Sequence, residues 1–155
     1  MSICLGADID ATYATLTDGK TPAVGDVYEG NDGKAYKFVQ YDTGSGSVAA
    51  VSGQVAYYYT LDGYKNGQVT SDLSDSVEIG AGVLQSAPAD GEYCWVQIEG
   101  AATLSIALTA GADGDPLTPT GATDGTLDVT AAATSNVCAI AGDISDNEII
   151  CTFPR

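Results

Sequence analysis

The clearest structural pattern in the sequence runs from Gly82 to Gly100 and reads G-V-L-Q-S-A-P-A-D-G-E-Y-C-W-V-Q-I-E-G. It predicts two strands joined by a tight turn, because Pro88 cannot donate to a sheet and Asp90-Gly91 accepts the backbone geometry of a turn. In the second strand the side chains alternate between two faces. One face is small and apolar, which predicts that it lines a core; it consists of Cys94, Val96 and Ile98.

The opposite face of this strand carries Tyr93 and Trp95, the single tryptophan of the chain. Two interpretations are open for these aromatic residues: they cover the edge of the chain's own core, or they meet solvent or a partner. The same choice applies to the tyrosine triplet at 57–59, where alternation places Tyr58 opposite its two neighbours. Tyr58 is therefore a further candidate for the outer face.

Asp-Gly pairs recur between short runs of β-branched and aromatic residues, at positions 18–19, 32–33, 62–63, 90–91, 113–114 and 124–125. Turns at this density predict an all-β fold, either a short-stranded antiparallel β-sandwich or a barrel-like domain. No window has a convincing helical period with caps at both ends. The prediction is one β-rich domain over residues 27–155.

Residues 1–26 differ from the rest because they contain few large apolar side chains. This composition predicts an extended N-terminal arm, held either by a neighbouring molecule or by the chain's own domain. Its thin apolar content also predicts that the β-domain folds without Met1 to Gly25. Tyr13 and Leu16 are the arm's candidate contact residues. The N-terminus lacks the pattern of a signal peptide, and we expect synthesis in a cytoplasm.

The charge of the chain is strongly one-sided, with 5 basic and 21 acidic residues and a net charge of -16. Nucleic-acid binding depends on neutralising phosphates with Lys and Arg, so we expect no nucleic-acid partner. Anionic membrane surfaces are disfavoured for the same reason. A basic partner surface or bound cations would relieve the self-repulsion of such a chain.

The residues that commonly carry catalysis are sparse. The chain contains no His, which excludes Ser-His and Cys-His nucleophiles, and its carboxylates show no glycosidase spacing. We therefore predict no catalytic residues, no cofactor and no enzyme activity. The four cysteines form no Cys-x-x-Cys pair; reduced thiols and a Cys138–Cys151 disulfide both remain open.

Two Asp-rich loops raise the question of calcium. One contains Asp113, Asp115 and Asp124, and the other spans 143–148 with Asp143, Asp146, Asn147 and Glu148. Neither loop has the spacing of an EF-hand, and Asp and Asn also form turns without any cation. The interpretation as turn residues is preferred, so no metal site is predicted.

Several short segments together carry a resemblance to a known family. In order they are G-V-L-Q-S-A at 82–87, D-G-E-Y-C-W-V-Q-I-E-G at 90–100, A-G-A-D-G-D-P-L at 110–117, D-G-T-L-D-V at 124–129 and V-C-A-I-A at 137–141. This order resembles the small capsid decoration (cement) proteins of tailed bacteriophages, with Cys138 where the pattern has glycine. The resemblance covers residues 30 to 155.

The resemblance implies a structural module on the exterior of the phage head, assembled in the host cytoplasm. Its partners would be the major capsid protein, at junctions between subunits, and copies of itself, often as a trimer. The implied partner contacts are the arm and the outer aromatic residues, namely Tyr13, Leu16, Tyr58, Tyr93 and Trp95. The alternative is a surface-exposed carbohydrate-binding or adhesion module, such as a virion fibre or knob component, that uses exposed Tyr and Trp against sugar rings.

Overall fold

The computed structural model describes residues 7–60, 66–129 and 136–155. Cys4 and the predicted Asp62-Gly63 turn lie outside these ranges. The described residues form short strands and two single turns of 3-10 helix, Leu73–Asp75 and Ile144–Asp146, so the all-β prediction is confirmed. The strands are β1 (Val27–Glu29), β2 (Ala35–Tyr41), β3 (Val55–Tyr58), β4 (Gln68–Thr70), β5 (Gly80–Leu84), β6 (Tyr93–Thr103), β7 (Pro116–Thr118), β8 (Asp128–Val129), β9 (Ala139–Asp143) and β10 (Glu148–Thr152).

Five strands close into a barrel in the order β2-β4-β3-β5-β6, because β6 pairs back with β2. The architecture is thus the barrel-like form of the prediction. One pairing departs from the antiparallel expectation: β2 and β4 run parallel, with Gln40 opposite Gln68 and Tyr41 opposite Val69. Strand β4 lies between β2 and β3 in the barrel, so it is hydrogen-bonded to its chain neighbour β3 on one side and to β2 on the other.

Strand β6 links the barrel to a second sheet in the order β6-β10-β9-β7-β8. Its first half pairs with β2 and β5, and its second half, from Glu99 to Thr103, pairs with β10. Gly100 lies at this change of partner with φ +91°, a backbone conformation that side chains other than glycine rarely adopt. The longest strand of the described residues therefore belongs to two sheets and changes partner beside a glycine.

The predicted pair of strands is present, but residues 85–92 connect them in place of a tight turn. Asp90-Gly91 forms a turn within that connection, where the Glu92 amide donates to the Ala89 carbonyl. Strands β5 and β6 are antiparallel, with Val83 opposite Gln97 and Leu84 opposite Val96. The small apolar face of β6 is fully buried in the main core, as alternation predicted. That core continues into the second sheet, where it includes Leu117, Ile149 and Cys151.

Candidate interaction surfaces

A second apolar cluster lies apart from the main core and is built on three buried residues of β2 and β6: Tyr36, Phe38 and Trp95. The ring centroids of Phe38 and Trp95 are 5.1 Å apart in an edge-to-face arrangement. The half-buried residues packed against this cluster are Ala7, Ile9, Tyr13, Val24, Tyr28 and Tyr93. The aromatic face of β6 is therefore covered largely by the chain's own N-terminal segment.

Residues 7–26 are held on the barrel by backbone and ring contacts. Tyr13 forms an isolated antiparallel bridge with Tyr93, in which the two amides each donate to the other residue's carbonyl over 2.9 and 2.8 Å. The Tyr13 ring meets Phe38 edge-on at 5.7 Å. Farther along, the Gly25 amide donates to the Phe38 carbonyl over 2.8 Å. The described part of the arm thus docks on its own domain.

The five predicted contact residues do not form one surface. Trp95 and Tyr58 have no exposed area, so they are not available to a partner in this arrangement. Tyr13 and Tyr93 are half-buried beside each other, and only Leu16, 42% exposed, projects into solvent. The structure therefore corrects the placement of Trp95 and Tyr58 and leaves contact by the other three as a prediction.

Tyr58 is buried because both faces of β3 are covered. All four residues of β3, Val55–Tyr58, are buried, and both Tyr57 and Tyr58 belong to the main core. The register shift in the pairing with β5 skips Ala81 of β5 and leaves β3 continuous. Inside, the Tyr58 hydroxyl accepts a hydrogen bond of 2.8 Å from the Lys37 Nζ. The Tyr57 hydroxyl donates to a different partner, the Thr126 carbonyl, so alternation separates the two tyrosines but does not expose either of them.

The acidic loops use their carboxylates as acceptors for local backbone amides. Asp72 is buried and accepts from the Gly46 amide at 2.9 Å and from the Ser74 hydroxyl at 2.6 Å. Hydrogen bonds from the Ser74 hydroxyl and from the Gly46 and Ser74 amides hold the pKa of the Asp72 carboxyl below its usual value. Asp75 accepts from the Ser45 amide, so the loop over 43–47 is fastened to the 3-10 turn.

The two loops considered for calcium show the same use of carboxylates. Asp113 accepts from the Ile144 amide at 2.9 Å, and Asp143 accepts from the Ser145 hydroxyl at 2.6 Å. Asp124 accepts from the Leu73 amide at 2.8 Å. Over residues 7–60, 66–129 and 136–155, no group of three acidic or thiol side chains is arranged to hold a metal ion. These carboxylates organise turns.

Three cysteines, Cys94, Cys138 and Cys151, are buried with free thiols, so the structure has no Cys138–Cys151 bridge. Burial raises the pKa of each thiol to about 12. A thiol needs its thiolate form to act as a nucleophile, and at neutral pH these thiols stay protonated. They act as small apolar core residues.

The outer face of the second sheet exposes a row of apolar residues that the sequence reasoning missed. Ile150 of β10 lies opposite Ile140 of β9, and the two are 39% and 41% exposed. Ala101 lies opposite Ile150, Pro116 lies opposite Ile140, and both are exposed. We call these four residues the outer row. A signal was available: Ile149 and Ile150 are consecutive in a strand, so one of them must face away from the core.

Two open clefts flank the second sheet. One, of about 410 Å³, lies where β5, β6 and β10 meet; it is lined mainly by polar side chains that include Lys34, Gln85, Gln97 and Glu148. The buried Gln97 amide already donates to the carbonyls of Glu99 and Ala101 at 3.0 and 2.9 Å. The other, of about 440 Å³, is lined by Ile79, Gly80, Asn136, Val137, Cys138, Thr152 and Pro154. We call it the Val137 hollow.

Comparison with known proteins gives little. No protein-family model matches the chain, and no curated protein matches it. Among solved structures, it is similar to the crystal structure of the N base of the head fiber gp8.5 of bacteriophage phi29, with a TM-score of 0.48 and 16% identity over 79% of this chain and 98% of that chain. At this level of similarity, no property of that head fiber is carried over. No helix in the described part of the chain has the length and hydropathy needed to cross a membrane.

Proposed function

We propose that this chain is a structural protein of a tailed-phage virion, a capsid decoration protein that binds the outer surface of the head through the major capsid protein. The resemblance of residues 30–155 to decoration proteins supplies the class. The observation that carries the proposal is the outer row, which presents two isoleucines side by side on an otherwise well-packed domain. A contiguous exposed apolar patch on a folded domain marks a surface for another protein.

The chemistry of the chain supports a mechanical role. It has no His, its described thiols are buried and protonated, and Asp side chains of its loops accept hydrogen bonds from backbone amides. A closed barrel with an attached sheet presents a rigid face, and rigid faces lose little entropy on binding. Many weak contacts, repeated by the symmetry of a head, then stabilise the junctions between capsid subunits.

Co-sedimentation tests the proposal. Heads of the virus that encodes the chain are stripped of it and spun with increasing amounts of the purified full-length protein, beside the protein alone. We expect saturable binding at a fixed ratio to the major capsid protein, and the ratio reports whether single copies or trimers occupy each site. Recovery in the pellet no greater than that of the free protein contradicts the proposal.

The alternative function is a carbohydrate-binding or adhesion module of a virion fibre or knob. The observation that favours it is the pair Tyr13 and Tyr93, which lie beside each other and remain partly exposed. Partly exposed aromatic rings can stack on sugars. Such a module binds glycans as the isolated protein, whereas a decoration protein binds assembled heads. A glycan array with the wild-type chain and a Tyr93→Ala variant separates the two.

A further inference from the structure

The outer row crosses the middle of the second sheet. Directly paired residues share a face, so Ala101, Ile150, Ile140 and Pro116 form one line over β6, β10, β9 and β7. At about 4.8 Å between strands, the line is roughly 14 Å long. The opposite face is the buried one, with Ile149 between Ala102 and Ala141. An antiparallel sheet with one core face ordinarily has a polar outer face, and this one is apolar at its centre.

Along the strands, the face continues past the row toward the C-terminal end of β10. Thr152, which follows Ile150 on the same face of β10, lines the Val137 hollow. Val137 is the most exposed large apolar residue of those described, at 48%. Ile79 and Pro154 complete the apolar part of the lining. The face therefore combines a flat apolar centre with a concave site that is large enough for a side chain.

The other end of the face is acidic. The turn between β9 and β10 brings Asp143, Asp146 and Glu148 together, and Asp113 bonds to the same turn. None of these carboxylates forms an ion pair in the described part of the chain, where the ion pairs are those of Arg155 with Glu29 and Glu99. The sequence explains this, because no Lys or Arg occurs from residue 66 to residue 154.

We propose that this face docks on a protein surface that has an apolar centre and a rim of Lys and Arg. The proposal rests on the proposed function and deepens it, because it names the contacting face and the chemistry expected of the capsid surface. A second copy of the chain is the less favourable occupant. A contact between two copies of this face would supply no Lys or Arg from β6, β7, β9 or β10 to these carboxylates, whereas a basic rim would neutralise them.

The test uses the full-length chain and the same stripped heads. The double variant Ile140→Lys/Ile150→Lys places two cations at the centre of the face. Val51→Lys is the control for an added surface lysine, because Val51 is 43% exposed and lies in no strand of the second sheet. We expect the double variant to bind heads at least tenfold more weakly and the control to stay within about twofold of wild type. Native tryptophan fluorescence checks that each variant is folded.

A milder pair keeps the test decisive if the lysine variant fails to fold. Ile140→Thr/Ile150→Thr preserves β-branched side chains and removes apolar area, and we expect about threefold weaker binding. Asp146→Asn/Glu148→Gln tests the charge of the partner, because it should reduce the salt dependence of binding. Asp146 and Glu148 form no ion pair within the described residues, so little stability is at stake.

The outcomes separate the two proposals. If wild type binds heads and both isoleucine variants bind equally well, the docking face is wrong and the decoration function stands. If wild type does not bind heads, the decoration function fails and this inference fails with it. If sedimentation shows that wild type self-associates and the isoleucine variants do not, the occupant is a second copy and the proposed partner chemistry is wrong.

Discussion

Replacing Tyr13 with alanine tests how the N-terminal arm is held. The ring is half-buried and meets Phe38 edge-on at 5.7 Å, while the two backbone hydrogen bonds to Tyr93 do not need the side chain. A tyrosine that buries roughly 100 Å² contributes about 2.5 kcal/mol at 25 cal/mol per Å². The aromatic contact adds about 0.5–1.5 kcal/mol, and freeing the side chain returns some entropy. We expect a net loss of about 2–3 kcal/mol.

Trp95 reports the effect directly, because it is the chain's single tryptophan and lies under the arm. Denaturant unfolding followed by its fluorescence should show a lower midpoint for Tyr13→Ala with a similar slope. The midpoint temperature of thermal unfolding should fall by roughly 4–12 °C for a domain of this size. Leu16→Ala is the control, since Leu16 lies in the same segment but projects into solvent; it should change stability by less than about 0.5 kcal/mol.

Equal stability of wild type and Tyr13→Ala would refute the docking of the arm. That result would mean that the aromatic layer is covered by something other than the Tyr13 contact. The docking also revises the expectation for a chain that lacks Met1 to Gly25. Such a chain would uncover Phe38 and Trp95, so we expect it to be less stable than the thin apolar content of the arm suggests.

Three further predictions follow from particular contacts. Asp72→Asn should cost about 1–3 kcal/mol at neutral pH by weakening its bonds to Gly46 and Ser74. The pKa of the Asp72 carboxyl is lower in the folded protein than its unfolded value of about 3.9, so its stabilisation is present above that value and is lost as the pH falls through the folded pKa. The free energies of unfolding of wild type and variant should therefore converge in acid. A difference that stays constant with pH would contradict this. Gly82→Ala should lower the free energy of unfolding by about 2–4 kcal/mol, since its Cβ would lie 2.7 Å from the Gln97 carbonyl oxygen. Gly91→Ala, whose Cβ would enter open space, should lower it by about 1 kcal/mol. Equal losses would contradict the clash. In a Cys4→Ser variant, the three buried thiols should react with a thiol reagent at pH 8 only as the protein unfolds; rapid labelling of the native protein would show that they are accessible.

Local patterns in the sequence predicted much of the barrel. The alternation in β6 identified Cys94, Val96 and Ile98 as core residues, and Asp90-Gly91 marked a turn within the longer connection between β5 and β6. Both features depend only on neighbouring residues, because the side-chain period of a strand and the φ preference of glycine are local properties. The parallel pairing of β2 with β4 joins residues far apart in the chain, and no local pattern encodes it.

The candidate contact residues were harder to predict, because exposure depends on what covers each face. Tyr58 is buried because β3 is covered on both faces, which the alternation of its side chains does not reveal. Ile140 and Ile150 lie opposite each other on paired strands, yet their exposure depends on the absence of a covering layer among the described residues.

Local patterns in the sequence specify the all-β class, the turns and the faces that each regular strand presents, and the composition gives a net charge of -16 that restricts the kinds of partner. Which of those faces are buried depends on tertiary packing. It covered the Trp95 face with the arm and left the Ile140–Ile150 face open. The physical reason is that periodicity fixes which side chains share a face, whereas burial is set by segments that are distant in sequence and pack against that face.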